Sequence, residues 1–196
     1  MARPSNRDKI LSAGLKVVHE RGFAGASVRD IVQAAGVPQG SFTNHFTSKE
    51  SFGLEILDLY FANGLNNMSV TLRNQALSPL ERLRSYVQLT KERATSTGEF
   101  RGCLYGNFAA EACNDSESIR HRLVEIFDEI RSTIAANLHE AVAKGEARPD
   151  LDCEEMAGFF LSSMQGALLL SKAYRDKAPI ERSERMLFGL IEAPAG

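Results

Sequence analysis

Only three cysteines occur in the 196 residues, Cys103, Cys113 and Cys153, an odd number at spacings that suit no disulfide framework. There is no Cys-x-x-Cys pair, and the four histidines are scattered. His121 and His139 can share a face of one helix, but the helical rise separates them by about 27 Å, too far to hold one metal. Long apolar runs are also missing. The most apolar stretch, Phe159 to Leu170, contains two serines and a glutamine, and it is shorter than the roughly 20 residues that a bilayer span needs. The opening Met-Ala-Arg-Pro-Ser-Asn-Arg-Asp-Lys lacks the apolar centre of a signal peptide. A cytoplasmic protein with no membrane partner is expected. No Gly-x-Ser-x-Gly, Walker loop, Gly-x-Gly-x-x-Gly or metal-ligand cluster occurs, so no catalytic residue, metal site or cofactor is assigned.

What is present is an ordinary apolar content of 43% and a marked charge asymmetry. Residues 1–49 carry seven Lys/Arg against three Asp/Glu, a net +4, and the rest of the chain carries a net −6. A basic head on an acidic body suits a protein whose head alone approaches a polyanion. Chance clustering would give the same numbers.

Nearly every segment has helical periodicity, and none has sustained period-2 alternation, which predicts an all-α fold of about nine helices. The first is expected over about 5–21, ending at Gly22. The second opens on Ser27 and Asp30 in capping-box spacing, with Val28, Ile31, Val32 and Ala35 along one face. Pro38 suits the start of a third, to about residue 45. A fourth is expected from a Thr47/Glu50 capping box to about residue 74. A fifth runs from Ser78-Pro79-Leu80-Glu81 to near Gly98, and a short sixth over 103–113. Asn114-Asp115 is expected to cap a seventh, whose stripe is Ile119, Leu123, Ile126, Ile130, Ile134 and Leu138 and whose stop is Gly145. The eighth is expected over 153–175 with Asp152 as its cap. Pro179 precedes a ninth that buries Leu187, Leu190 and Ile191.

The informative segment is 27–46. Two short amphipathic helices meet at a tight Ala-Gly-Val turn, held by apolar residues at 28, 31, 32, 37, 42 and 46. The outer side of the second helix is expected to show Gln39, Ser41, Thr43 and Asn44, hydrogen-bonding side chains small enough to approach base edges in a major groove. No acidic residue lies between Asp30 and Glu50 to repel phosphates. A helical hairpin with no DNA role is the competing interpretation.

The stretch from Arg7 to about Leu54 resembles the DNA-binding domain of the TetR family of bacterial regulators. The resemblance rests on Gly22-Phe23, Ser27-Val28, Asp30-Ile31, Ala34-Ala35-Gly36-Val37, Gly40-Ser41-Phe42, His45-Phe46 and Ser48-Lys49-Glu50. It implies a helix-turn-helix domain over 1–50 and a ligand-binding and dimerisation domain over 51–196, working as a homodimer on a double-stranded DNA operator. Carried across by position, Arg29 and Gln39 become base-contact candidates, and Ser27, His45 and Lys49 phosphate-contact candidates. Ser41 and Asn44 are candidates for either. Where the family often has an aromatic this chain has Thr43, so that backbone contact is in doubt and a thymine methyl becomes the alternative target.

A second segment, Arg101-Gly-Cys-Leu-Tyr-Gly-Asn-Phe-Ala-Ala-Glu111, resembles a Gly-Cys-Leu-x-Gly-Asn run in a subset of TetR-like regulators, some of which respond to reactive electrophiles. Cys103, beside Arg101 and near a helix N-terminus, has two interpretations: a sensing thiolate, or a small residue filling a gap. Lys172 either completes that site or snorkels to solvent. Cys113 and Cys153 are taken as structural. A small-molecule pocket is expected, with Met68, Tyr105, Phe108, Met164, Phe61 and Phe159 as apolar candidates and Asn107 and Gln165 as polar anchors. The apolar eighth helix is expected to pair with the ninth across a dimer interface. The sequence thus points to a ligand-responsive repressor, with a small helical enzyme or a non-sensing architectural DNA-binding protein as alternatives.

Overall fold

The computed structural model describes residues 5–95 and 100–193, and its described residues form nine helices and no strand. They are α1 (Asn6–Arg21), α2 (Val28–Ala35), α3 (Gly40–His45), α4 (Lys49–Val70), α5 (Pro79–Thr95), α6 (Leu104–Ala112), α7 (Glu117–Ala143), α8 (Cys153–Tyr174) and α9 (Ala178–Ile191). The all-α expectation holds. The stop expected near Gly98 lies outside the described residues. No described helix is long and apolar enough to cross a membrane, and no described group of His, Cys, Asp and Glu is arranged to hold a metal.

The helices begin where a side chain can take up a free backbone N–H. Ser78 and Glu81 close the expected capping box at α5, and Asp152 caps α8. Two caps differ from expectation. Ser48 and Ser51, rather than Thr47 and Glu50, exchange bonds at the start of α4, and Glu50 turns away to the Ser116 hydroxyl. Ser116, rather than Asn114-Asp115, caps α7 by accepting from Ile119 N. α4 also ends at Val70, short of residue 74, in a turn closed by Arg73 N donating to Met68 O.

The chain packs as two compact units, each discontinuous in sequence: Met1–Asn63 with Leu104–Val124, and Gly64–Cys103 with Glu125–Gly196. In the first unit, α1 supplies Ile10, Val17 and Val18, α2 supplies Ile31 and Val32, and the rings of Phe42, Phe46 and Phe52 close the core. These rings sit 5.1–5.3 Å apart in tilted and edge-on pairs, geometry favoured by the aromatic quadrupole. Gly14 permits it, since a Cβ there would lie 2.4 Å from the Phe52 ring.

In the second unit the α7 stripe continues through Ile126, Ile130, Ile134 and Leu138, all buried. It packs in a core with Leu83, Val87, Phe160, Met164, Leu168, Leu187, Phe188 and Ile191. Arg82 is buried with each of its three nitrogens bonded, to Asn74 O, Gln75 and Glu140, and so pins the turn before α5. In α9 the residue expected to be buried, Leu190, is 39% exposed, and Phe188 takes its place. The ring of Phe188 lies under the Arg84 guanidinium, 4.1 Å from the centroid.

Candidate nucleic-acid interface

The start of α2 is set by reciprocal bonds. The Ser27 hydroxyl accepts from Asp30 N at 3.1 Å and donates to the Asp30 carboxylate at 2.5 Å, and Ser27 N donates to that same oxygen. Arg21 pairs with the other carboxylate oxygen at 2.8 Å. The Ser27 bonds, and then Arg21, hold the Asp30 carboxyl below its ordinary range. The only acidic side chain in the helix-turn-helix segment is thus tied up locally. The Ser27 hydroxyl proton is committed as well, so a phosphate near this residue would be met by the free N–H groups of the first turn of α2. Gly36, at φ 63 and ψ 37, turns the chain, and Val37 N closes on Val32 O.

α3 follows after a lead-in turn in which Ser41 N bonds Pro38 O and Phe42 N bonds Gln39 O. Thr43, Asn44 and His45 are exposed on it, as are Gln39 at its N-cap and Arg29 on α2. Arg29 has no ion-pair partner among the described residues. Ser41 corrects the sequence expectation: it is only 8% exposed and sits with Phe42 on the inner side of the helix. The Thr43 hydroxyl donates back to Gly40 O at 3.1 Å and is thus engaged within its own helix.

Lys49, at the start of α4, is half-buried. Its ammonium donates to Ala24 O at 3.1 Å and lies over the Phe23 ring, 5.0 Å from the centroid. Burial pulls its pKa down, and the Glu111 carboxylate opposes that shift. Two of its three N–H donors remain for other acceptors. A stack of Phe23 on Phe108 at 4.7 Å and an edge-on ladder His19–Tyr60–Tyr105 (5.8 and 4.9 Å) dock α6 within the same unit.

The residues expected to form a pocket are divided between the two units. Tyr105, Asn107 and Phe108 are α6 residues of the first, with Tyr105 and Phe108 buried. Met68, Met164, Gln165, Lys172 and Cys103 belong to the second; Met68 and Met164 are buried, Gln165 is half-buried and Lys172 is exposed. Phe159, expected to line a cavity, is half-exposed on α8. Cys103 is partly exposed and immediately precedes the first residue of α6. Desolvation, and after it the charge Cys103 would carry if ionised, pushes the Tyr86 phenol above its ordinary range. Cys153 is buried, and its thiol is pushed up by that burial and by Asp152 and Glu154.

Residues 10–56 match the family model described as bacterial regulatory proteins, tetR family, and residues 79–187 match the tetracyclin repressor-like C-terminal domain. The chain is 36% identical over 188 residues to the HTH-type transcriptional repressor DhaR of Mycobacterium sp. (strain GP1), covering 96% of this chain and 93% of that one. This chain belongs to the TetR family. TetR-family proteins are DNA-binding transcriptional regulators, not enzymes. The crystal structure of the regulatory protein TetR from Rhodobacter sphaeroides superposes with a TM-score of 0.90 at 29% identity, over 95% of this chain and 98% of that one. A cysteine variant of the TetR-family regulator CifR, solved with a 26 bp double-strand operator, superposes with a TM-score of 0.81 at 26% identity, over 95% and 98%.

Within this TetR-family chain, sequence reasoning missed Glu111 and Arg21. Arg21 had a readable signal, as a basic residue at the very end of α1 and nine before an acidic N-cap partner. Glu111 had none, because its partners lie 87 and 62 residues earlier.

Proposed function

We propose that this TetR-family regulator is a cytoplasmic homodimeric repressor that grips a palindromic operator and releases it when a small-molecule effector binds. The observation that carries the DNA half is the exposed face formed by Arg29, Gln39, Thr43, Asn44 and His45, beside an acidic residue already hydrogen-bonded by Ser27 and ion-paired with Arg21. Arg29 and Gln39 have the donor patterns that read guanine and adenine edges. His45, Lys49 and the first-turn amides of α2 take phosphates, and Thr43 offers a methyl to thymine. DhaR is named a repressor and the CifR variant was solved on operator DNA, which supports repression through the same face.

The dimer is formed by α8 and α9. Phe159, Leu169 and Leu170 on α8, with Met186 and Leu190 on α9, are exposed apolar residues that the protomer leaves unpaired. Phe159, Gly166 and Leu170 recur at helical spacing along one stripe. A two-fold dimer sets its recognition helices one DNA turn apart, about 34–36 Å, or a multiple of that. An effector that favours a different spacing releases the DNA by shifting the population. Cys103, partly exposed at the α6 N-terminus, is the sensing group, and reactive electrophiles are the effector class.

The test is selection of duplexes from a random pool by the full chain, followed by Arg29→Ala and Gln39→Ala binding measurements. Each variant should relax preference at one base position of each half-site, at roughly 1–3 kcal/mol. Unchanged preference in both variants would refute the assignment.

A further inference from the structure

The Glu111 carboxylate, in the last turn of α6, reaches the loop between α1 and α2 and accepts Ala24 N–H at 2.9 Å. On the opposite side of the same residue, Ala24 O accepts the Lys49 ammonium at 3.1 Å. One loop residue is therefore held at both backbone groups by side chains of opposite charge. The loop is shaped for this arrangement. Gly22, at φ 79, leaves open the space the carboxylate fills, and a Cβ there would lie 2.4 Å from its oxygen. Gly53 of α4 does the same for Phe23, whose ring a Cβ would meet at 2.7 Å. Phe23 in turn stacks on Phe108, one turn before Glu111.

A carboxylate in the last turn of a helix opposes the helix dipole. Glu111 thus works against its own helix, and what favours its position is the Ala24 N–H of the loop together with the attraction of the Lys49 ammonium. Three residues beyond Ala24, Ser27 caps α2, so a shift of Ala24 carries directly into the position of Arg29 and of the turn that leads to α3.

We propose that Glu111 is a positioning residue for operator binding: by fixing Ala24 it sets where α2 begins and where the DNA-reading side chains aim. The proposal rests on the DNA-binding role of the α2–α3 face. It makes α6, which starts beside Cys103, part of the operator-binding apparatus without touching DNA.

The experiment uses the full chain and the duplex that the wild type selects. Operator affinity is measured across a salt series for Glu111→Ala and Glu111→Gln, with hydrogen exchange at the Ala24 amide. Loss of a hydrogen bond to a charged group predicts roughly ten- to hundredfold weaker binding for Glu111→Ala. The salt slope should stay unchanged, since no phosphate contact is removed. Glu111→Gln keeps an oxygen acceptor and should recover most of that affinity, while the Ala24 amide should exchange faster only in the alanine variant. Wild-type affinity in Glu111→Ala overturns the proposal. So does an equal loss in both variants that tracks a lowered melting temperature, which would make Glu111 a strut. A wild type that selects no duplex refutes the DNA-binding role itself, a separate outcome.

Discussion

Leu169→Glu is the sharpest perturbation of the proposed dimer. Leu169 is 64% exposed in the protomer, whereas its neighbour Leu168 is only 6% exposed and belongs to the core. Fully burying a leucine is worth about 1.5–3 kcal/mol, so covering the exposed part of Leu169 is worth about 1–2 kcal/mol. A two-fold interface uses each residue twice, which raises the contribution to about 2–4 kcal/mol per dimer, or roughly 30- to 700-fold in the dissociation constant. Placing two carboxylates in the interface adds desolvation, so that range is a lower bound. Sedimentation equilibrium at micromolar protein should therefore show Leu169→Glu as a folded monomer with unchanged helicity. Leu168→Glu is the control, because its charge enters the protomer core and should lower the melting temperature and helical signal. The reasoning fails if the wild type is a monomer, or if Leu169→Glu and Met186→Glu both keep its dimer affinity within threefold.

Three further outcomes are expected. Cys103→Ser should bind the selected duplex like the wild type but stay bound when N-ethylmaleimide is added; release equal to the wild type in an electrophoretic shift assay would remove Cys103 as the sensor. Gly14→Val should cost about 2–3 kcal/mol, because the Phe52 ring is locked between Phe42 and Phe46 and cannot swing away. For a chain of this length that is a drop of roughly 4–12 °C in melting temperature, readable by circular dichroism. Asp30→Asn should destabilise the helix-turn-helix at neutral pH, and the gap to the wild type should close on acidification. The folded Asp30 pKa lies below the ordinary 3.8, so its stabilisation is complete above that value and is lost as pH falls through the lower folded one.

Much of this was legible in the sequence because it is local. The Ser27/Asp30, Ser78/Glu81 and Asp152 caps act over three residues, and the α7 isoleucine stripe follows the helical period directly. Errors arose where two local patterns compete. Thr47-Ser48-Lys49-Glu50-Ser51 offers two overlapping capping registers, and the Ser48/Ser51 pair wins while Glu50 bonds Ser116. Ser41 is small and polar like its exposed neighbours, and only its position beside Phe42, on the inner arc of a six-residue helix, turns it inward. Leu190 and Phe188 are both apolar, and periodicity alone does not say which meets Phe160. The link from Lys49 through Ala24 to Glu111 was beyond reach for another reason: the shared partner, Ala24, has no side-chain chemistry to mark it.

The compact unit that carries the proposed DNA-reading face is assembled from two stretches of chain, 1–63 and 104–124. This limits how the module can be exchanged. A fragment or chimera cut after residue 63 would carry every candidate DNA contact, yet it would lack the Phe108 ring under Phe23, the Tyr105 end of the aromatic ladder and the carboxylate on Ala24. Transplanting this reader onto another sensory body therefore requires moving α6 with it, and with α6 comes the segment next to Cys103. If Cys103 is the sensing group as proposed, recognition and sensing are interleaved in this chain, and recombination at a single junction cannot separate them.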